Sequence, residues 1–135
     1  MTERGHWSYD GAIPDECFGF IYEIECTVTS KKYIGKKQMR RCVKLRPLKG
    51  KRNKRHQIVE SDWKEYTGSC NDLNADIIAH GKSAFTFKII KLCTCKWELA
   101  YEEARLQFER HVLLREDYYN GILNCRIGKK PKSMS

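Results

Sequence analysis

Three groups of residues in this chain have types and spacings that can do chemistry. The first is a run of cations. Lys36, Lys37, Arg40, Arg41, Lys44, Arg46, Lys49, Lys51, Arg52, Lys54 and Arg55 fall within residues 36–56, with no acid among them. The chain carries 26 Lys and Arg against 17 Asp and Glu, so outside this run it is near neutral. Charge so concentrated favours a polyanion through counterion release, and nucleic acid is the commonest one. A solubilising loop would look similar, but the run is interior and flanked by structured sequence, which favours binding. The second group is Tyr22 and Tyr33, eleven residues apart on two apolar stretches. A hairpin can set such a pair side by side. A phenol of pKa near 10 needs positive charge nearby to work as a base at neutral pH, and the cation run begins just after Tyr33. The third is Glu103, with Leu99 four residues before it and Leu106 three after. That half-apolar helix face is unusual for a purely solvated acid, although the residues alone favour a surface glutamate like Glu102 or Glu109.

These residues need elements to position them. Across Phe18–Val28 the alternation puts Phe20, Tyr22, Ile24 and Cys26 on one side and Ile21, Glu23 and Glu25 on the other, a strand pattern. Thr29–Lys32 reads as a turn, and Tyr33-Ile34-Gly35 opens a second strand. The cation run, broken by Pro47 and Gly50, reads as a self-repelling loop or broken helix. Ser61-Asp62-Trp63 is a helix-cap signature leading into a short turn through Tyr66. A box from Ser69 to Asp72 starts a helix with Leu73, Ile77 and Ile78 on one stripe, closed by His80-Gly81. Phe85–Leu92 is a third strand. The longest helix is expected from Lys96 to about Arg115, with Trp97, Tyr101, Ala104, Phe108 and Val112 as its main apolar stripe and His111 facing solvent. Tyr118–Gly121 is a turn and Ile122–Ile127 a short extended piece. The order is a small α+β domain over residues 18–127, with a basic insertion at 36–57, a polar arm at 1–17 and a basic tail at 128–135.

Composition narrows the class. The 135 residues suit one domain, with 41% hydrophobic residues and a mean hydropathy of −0.66. No apolar run approaches a membrane span, and the first residues lack a secretory pattern. Seven cysteines, an odd number without a leader, suggest reduced thiols and a cytoplasmic location. Structural zinc needs paired ligands twice over, and only Cys93 and Cys95 lie close together.

Phe20-Ile21-Tyr22 followed by Tyr33-Ile34-Gly35 resembles the paired half-motifs of the GIY-YIG nuclease family, with Phe20 where the family usually has Gly. The resemblance continues through Ser69–Leu73, His80-Gly81, Phe85, Ile89-Ile90, Glu103 and Tyr119-Asn120, so it covers most of the chain from Phe18 to Asn124. It implies a small three-stranded antiparallel sheet flanked by helices, and hydrolysis of DNA phosphodiester bonds. It implies a Mg²⁺ or Mn²⁺ ion on Glu103, since one carboxylate and retained waters can satisfy such an ion. Tyr22 would activate or position the attacking water, Tyr33 would orient water or phosphate, and Asn120 or Asn124 would close the site. The family also places an Arg after the second strand, and here the pattern departs. Arg40 and Arg41 are nearest in spacing, while Arg52 and His56 stand four apart, as an Arg and a His do in some members. The others, Lys36, Lys37, Lys44, Arg46, Lys51, Arg52, Lys54, Arg55 and His56, are expected to hold DNA phosphates. About ten residues follow Asn124, too few for the DNA-binding module of homing members, so a stand-alone, phage-like nuclease of the host cytoplasm is the expected subtype. Duplex DNA is the expected partner. A homodimer is left open, because one active site cuts one strand at a time. The competing class is a non-catalytic nucleic-acid-binding module on the same scaffold; an RNA-binding assembly protein is a third.

Overall fold

In the computed structural model, residues 4–14, 16–53, 55–123 and 126–132 are described. The alternating stretch forms β1 (Gly19–Cys26), the centre of an antiparallel sheet in the order β2–β1–β5. Its neighbours are β2 (Lys32–Gln38) and β5 (Phe85–Cys93). The period-two pattern sorts the core into two layers. Phe20, Tyr22, Ile24 and Cys26 face Trp63, Leu73, Phe87 and Ile89, under α1 (Asn71–His80). Ile21 faces the other way with Ile34, Leu99, Leu106 and Val112, under α2 (Lys96–Glu109). Phe20 is fully buried against Trp7 and Trp63, which occupies the space that a Gly at this position would leave open.

Several sequence expectations are corrected. The polar arm is docked. Trp7 is buried and its indole N–H donates to the Trp63 carbonyl, while Ser8 bridges to the β5 edge by bonds of 2.8 and 2.9 Å with Phe87 and Ile89. One large aromatic outweighs the polar residues around it. Among the described residues the cation run is a loop only over residues 46–53. Lys36 and Lys37 belong to β2, and its other described cations lie in β3 (Arg40–Leu45) and β4 (Arg55–Glu60), an antiparallel ribbon separate from the main sheet. Val43, Leu45, Ile58 and Val59 supply strand propensity that the charges mask. The Ser69–Asp72 box does not close, because Cys70 is the N-cap of α1 without a side-chain cap bond. α2 stops at Glu109, where His111 takes a left-handed conformation (φ 54°), so the helix does not run on to Arg115. Its buried residues are Leu99, Ala104, Leu106 and Gln107, whereas Tyr101 and Phe108 of the expected stripe are exposed. Among the described residues no helix is long and apolar enough to cross a membrane. Cys17, Cys26, Cys42, Cys70 and Cys93 are free thiols.

His6 links the docked segment to the core. Its ring stacks on Phe87 at 3.9 Å, Nε2 lies 2.9 Å from the Tyr66 carbonyl, and the buried Nδ1 has no partner. That geometry suits the neutral ring with the proton on Nε2. Burial, helped by Lys82, lowers its pKa to about 4. The unfolded chain then takes up a proton that the fold refuses, so His6 costs stability as pH falls from about 6.5 to about 4. We expect the melting temperature to fall over that window more steeply in the wild type than in His6→Gln, read by thermal denaturation at half-unit pH steps; equal slopes would refute it.

Candidate active site

The site is built around the edge strand. Across the β1–β2 hairpin Tyr22 pairs with Gly35 and Tyr33 with Ile24, so the two phenols share a face as diagonal neighbours, their rings 6.1 Å apart. Gly35 has no side chain to cover the Tyr22 ring. A Cβ there would lie 2.5 Å from the Tyr22 Oη and 2.7 Å from its Cζ. Gly68, at φ 88°, closes over the same hydroxyl, and a Cβ there would come within 3.1 Å of it. The Tyr22 hydroxyl thus reaches the sheet edge between two glycines. One residue further along β2, Lys36 points to the other face and its Nζ lies 3.5 Å from Glu103 Oε1 on α2.

A cavity of 390 Å³ joins the two faces around this edge, with Tyr22, Tyr33, Lys36, Glu103 and Asn120 on its wall. Asn120 holds β2 in place. Its Oδ1 accepts from the Ile34 N–H at 3.1 Å and its Nδ2 donates to the Ile34 carbonyl at 2.8 Å. Gln107 of α2 donates to the same carbonyl at 2.9 Å. The segment bearing Asn120 is itself tied down, because Tyr119 donates its N–H to Lys32 and its hydroxyl to Asp76 of α1. Burial pushes the Glu103 carboxyl above the ordinary range, and Lys36 opposes that shift without cancelling it. Burial also raises the Tyr22 phenol well above its usual value, assisted by Tyr33, Tyr66 and Glu103. Tyr33 is raised for the same reason, with Ser69 pulling the other way. The positive charge expected to ease deprotonation of Tyr22 is therefore not supplied by the cation run.

Apart from Lys36, the described residues of that run lie elsewhere. Lys36 is the cationic residue on the cavity wall among the described residues. Lys37 is held by Asp62 at 2.7 Å and lies over the Tyr66 ring. Arg40 lines a different cavity with Arg4, Glu60 and Trp63, and Arg41 is exposed on β3. Lys44 and His56 are exposed on the ribbon, and Arg46, Lys51 and Arg52 lie on its connecting turn. Arg55 donates to the Arg46 carbonyl and so braces the ribbon end. Lys54 and Asn124 fall outside the described residues. Gln107, Tyr66 and Gly68 were not anticipated from sequence. Gln107 lies one helical turn after Glu103, and a second polar residue on a face bearing Leu99 and Leu106 was the available signal.

The family model described as "Putative endonuclease segE, GIY-YIG domain" matches residues 4–123. The chain belongs to the GIY-YIG endonuclease family. No curated protein and no solved structure matches it. The family match begins at Arg4, so it includes the docked N-terminal segment, and the α+β fold with its three-stranded antiparallel sheet agrees with a GIY-YIG domain. In this GIY-YIG domain the glycine of the second half-motif is required by contact with a buried Tyr22 ring, which cannot swing away as a surface side chain could.

Two predictions follow from this packing. Gly35→Ala must displace the Tyr22 ring and should cost about 1–3 kcal/mol, read as a lower denaturant midpoint; unchanged stability would mean that the contact is not made. Glu103 has a folded pKa above its ordinary value of 4.5, so it destabilises the fold above that folded pKa and not below about 4.5. Glu103→Gln should therefore raise the melting temperature at pH 7, with the gain vanishing near pH 4. A loss of stability at pH 7 would show instead that the Lys36 ion pair dominates.

Proposed function

We propose that this GIY-YIG domain is a divalent-metal-dependent endonuclease that hydrolyses phosphodiester bonds in duplex DNA. The observation that carries this reading is the convergence of Tyr22, Tyr33, Lys36, Glu103 and Asn120 on one cavity at the edge of β2. Among the described residues no group of three or more His, Cys, Asp and Glu could form a complete metal cage. A site with one carboxylate suits Mg²⁺ or Mn²⁺, which keep most of their waters. Glu103 fits that part, because its poorly solvated carboxylate is opposed only in part by Lys36. When bound, the ion supplies Lewis-acid neutralisation of a phosphate oxygen.

The other roles fall to the chain. Tyr22, its proton held by burial at neutral pH, positions the attacking water through Oη beside the scissile phosphate. Tyr33 orients the same water or a phosphate oxygen from the diagonal position. Lys36 supplies the cation for charge developing on the phosphate, a part the family pattern gives to an Arg. Arg40 and Arg41 retain that part only if the ribbon turns toward the cavity on DNA. Asn120 and Gln107 fix the strand that carries Tyr33 and Lys36. The exposed cations of β3, β4 and their turn hold the DNA backbone. Double-strand cutting takes two such sites, which is the argument for a homodimer.

The test is supercoiled plasmid incubated with Mg²⁺ or with EDTA. The wild type should nick or linearise it only with the ion. Glu103→Gln should fall to background while still shifting DNA in a gel, and Lys36→Met should be slower by about 10²-fold. DNA binding without ion-dependent cleavage by the wild type would favour the non-catalytic module.

A further inference from the structure

The ribbon is built unlike a simple phosphate clamp. Its base is fixed, since Met39 is buried, the Ser61 N–H donates to the Met39 carbonyl at 2.8 Å, and the Ser61 hydroxyl donates to Gln38 at 2.6 Å. β3 leaves β2 directly at that point, so the ribbon is anchored to the strand that carries Tyr33 and Lys36. Beyond the base no residue of either strand is buried. The register divides the ribbon into two faces. On one, Val43, Leu45 and Val59 are half-buried. On the other, Cys42 stands opposite Ile58 and Lys44 opposite His56, all exposed, with Ile58 69% exposed. Binding phosphates alone would need only the cations. An isoleucine left in water beside a thiol, a lysine and an imidazole suits base edges instead. It can meet a thymine methyl, while Lys44 and His56 can bond guanine or adenine acceptors.

We propose that this face, bearing Cys42, Lys44, His56 and Ile58, enters the major groove of duplex DNA and sets the sequence preference of the nuclease. This rests on the DNA-cleaving reading above. A two-stranded ribbon fits a groove about 12 Å wide, and the charge complementarity is that of a cationic ribbon and a polyanion. Arg46, Lys51 and Arg52 on the connecting turn grip the backbone beyond it. Lys44, at the far end of this face, is eight residues along the chain from Lys36, at most about 27 Å. The bases read therefore lie within about eight base pairs of the cut, on one side of it.

The test uses the full chain carrying Glu103→Gln, selected on a library of random duplex DNA, with and without Ile58→Ala plus His56→Ala. The parent should enrich a short motif, and the ribbon variant should flatten two or three of its positions while binding to bulk DNA falls less than about tenfold. His56→Val alone, which favours the strand, should flatten the position that His56 reads and leave the others, so the effect is not loss of the strand. Lys51→Ala plus Arg52→Ala should weaken all sequences alike and lower the salt slope by about two. Absence of any motif, or a motif unchanged in the ribbon variant, would overturn the proposal. A motif that depends on the ribbon in a protein that never cuts plasmid would leave the proposal standing and remove the nuclease reading.

Discussion

Tyr22 faces Gly35 across β1 and β2, and nearly every other feature of the site depends on that contact. With any larger residue at 35, the phenol could not lie across the edge strand. With the ring there, Tyr33 takes the diagonal place and Lys36 turns to the opposite face, toward α2. The sheet pleat thus does what a loop-built site would need several supports to do. It carries groups from both faces of one strand to a common edge. The requirement passes outward, because an edge strand that must hold its register to within a fraction of an ångström cannot fray. Asn120 and Gln107 supply that restraint by taking the Ile34 peptide from two directions.

The electrostatics of the cavity follow from the same crowding. Of the ionisable groups on the cavity wall, burial raises Tyr22, Tyr33 and Glu103, and Lys36 is the facing cation among the described residues. The two phenols keep their protons, so the charge that burial leaves under-compensated is that of a Glu103 carboxylate, which Lys36 offsets only in part.

Much of this was legible in the sequence, for reasons that also explain what was not. β1 reads clearly because one face is wholly apolar, and the hairpin follows from the turn after it. Glu103 stands out through the family resemblance, since its apolar neighbours Leu99 and Leu106, both buried, leave a surface glutamate the commoner reading of the residues alone. The true buried stripe of α2 did not, because Glu103 and Gln107 occupy two of its positions for the sake of the site; the stripe of Trp97, Tyr101 and Phe108 looked more hydrophobic and is largely outside. Trp7 was hidden by polar neighbours. The ribbon was hidden by charge, since its strand formers Val43, Leu45, Ile58 and Val59 are diluted by the cations around them. The missing Arg has a related cause. Spacing along the chain pointed to Arg40 and Arg41, but the strand turns away at Met39 into a second sheet, and Lys36 is left as the cavity's cation.

That turn at Met39 separates two physical demands. Chemistry needs a rigid pocket, and the packed core around Tyr22 provides one. Contact with a long polyanion needs exposed, concentrated charge, which would destabilise that core by self-repulsion if it packed there. Placing eleven basic residues in one segment keeps the remainder near neutral. An isolated two-stranded ribbon is marginal in water, and anchoring at Met39 and Ser61 fixes only its base. Its outer strands carry cations that repel one another, so neutralisation of that charge would favour the paired ribbon and couple its stability to a polyanionic ligand.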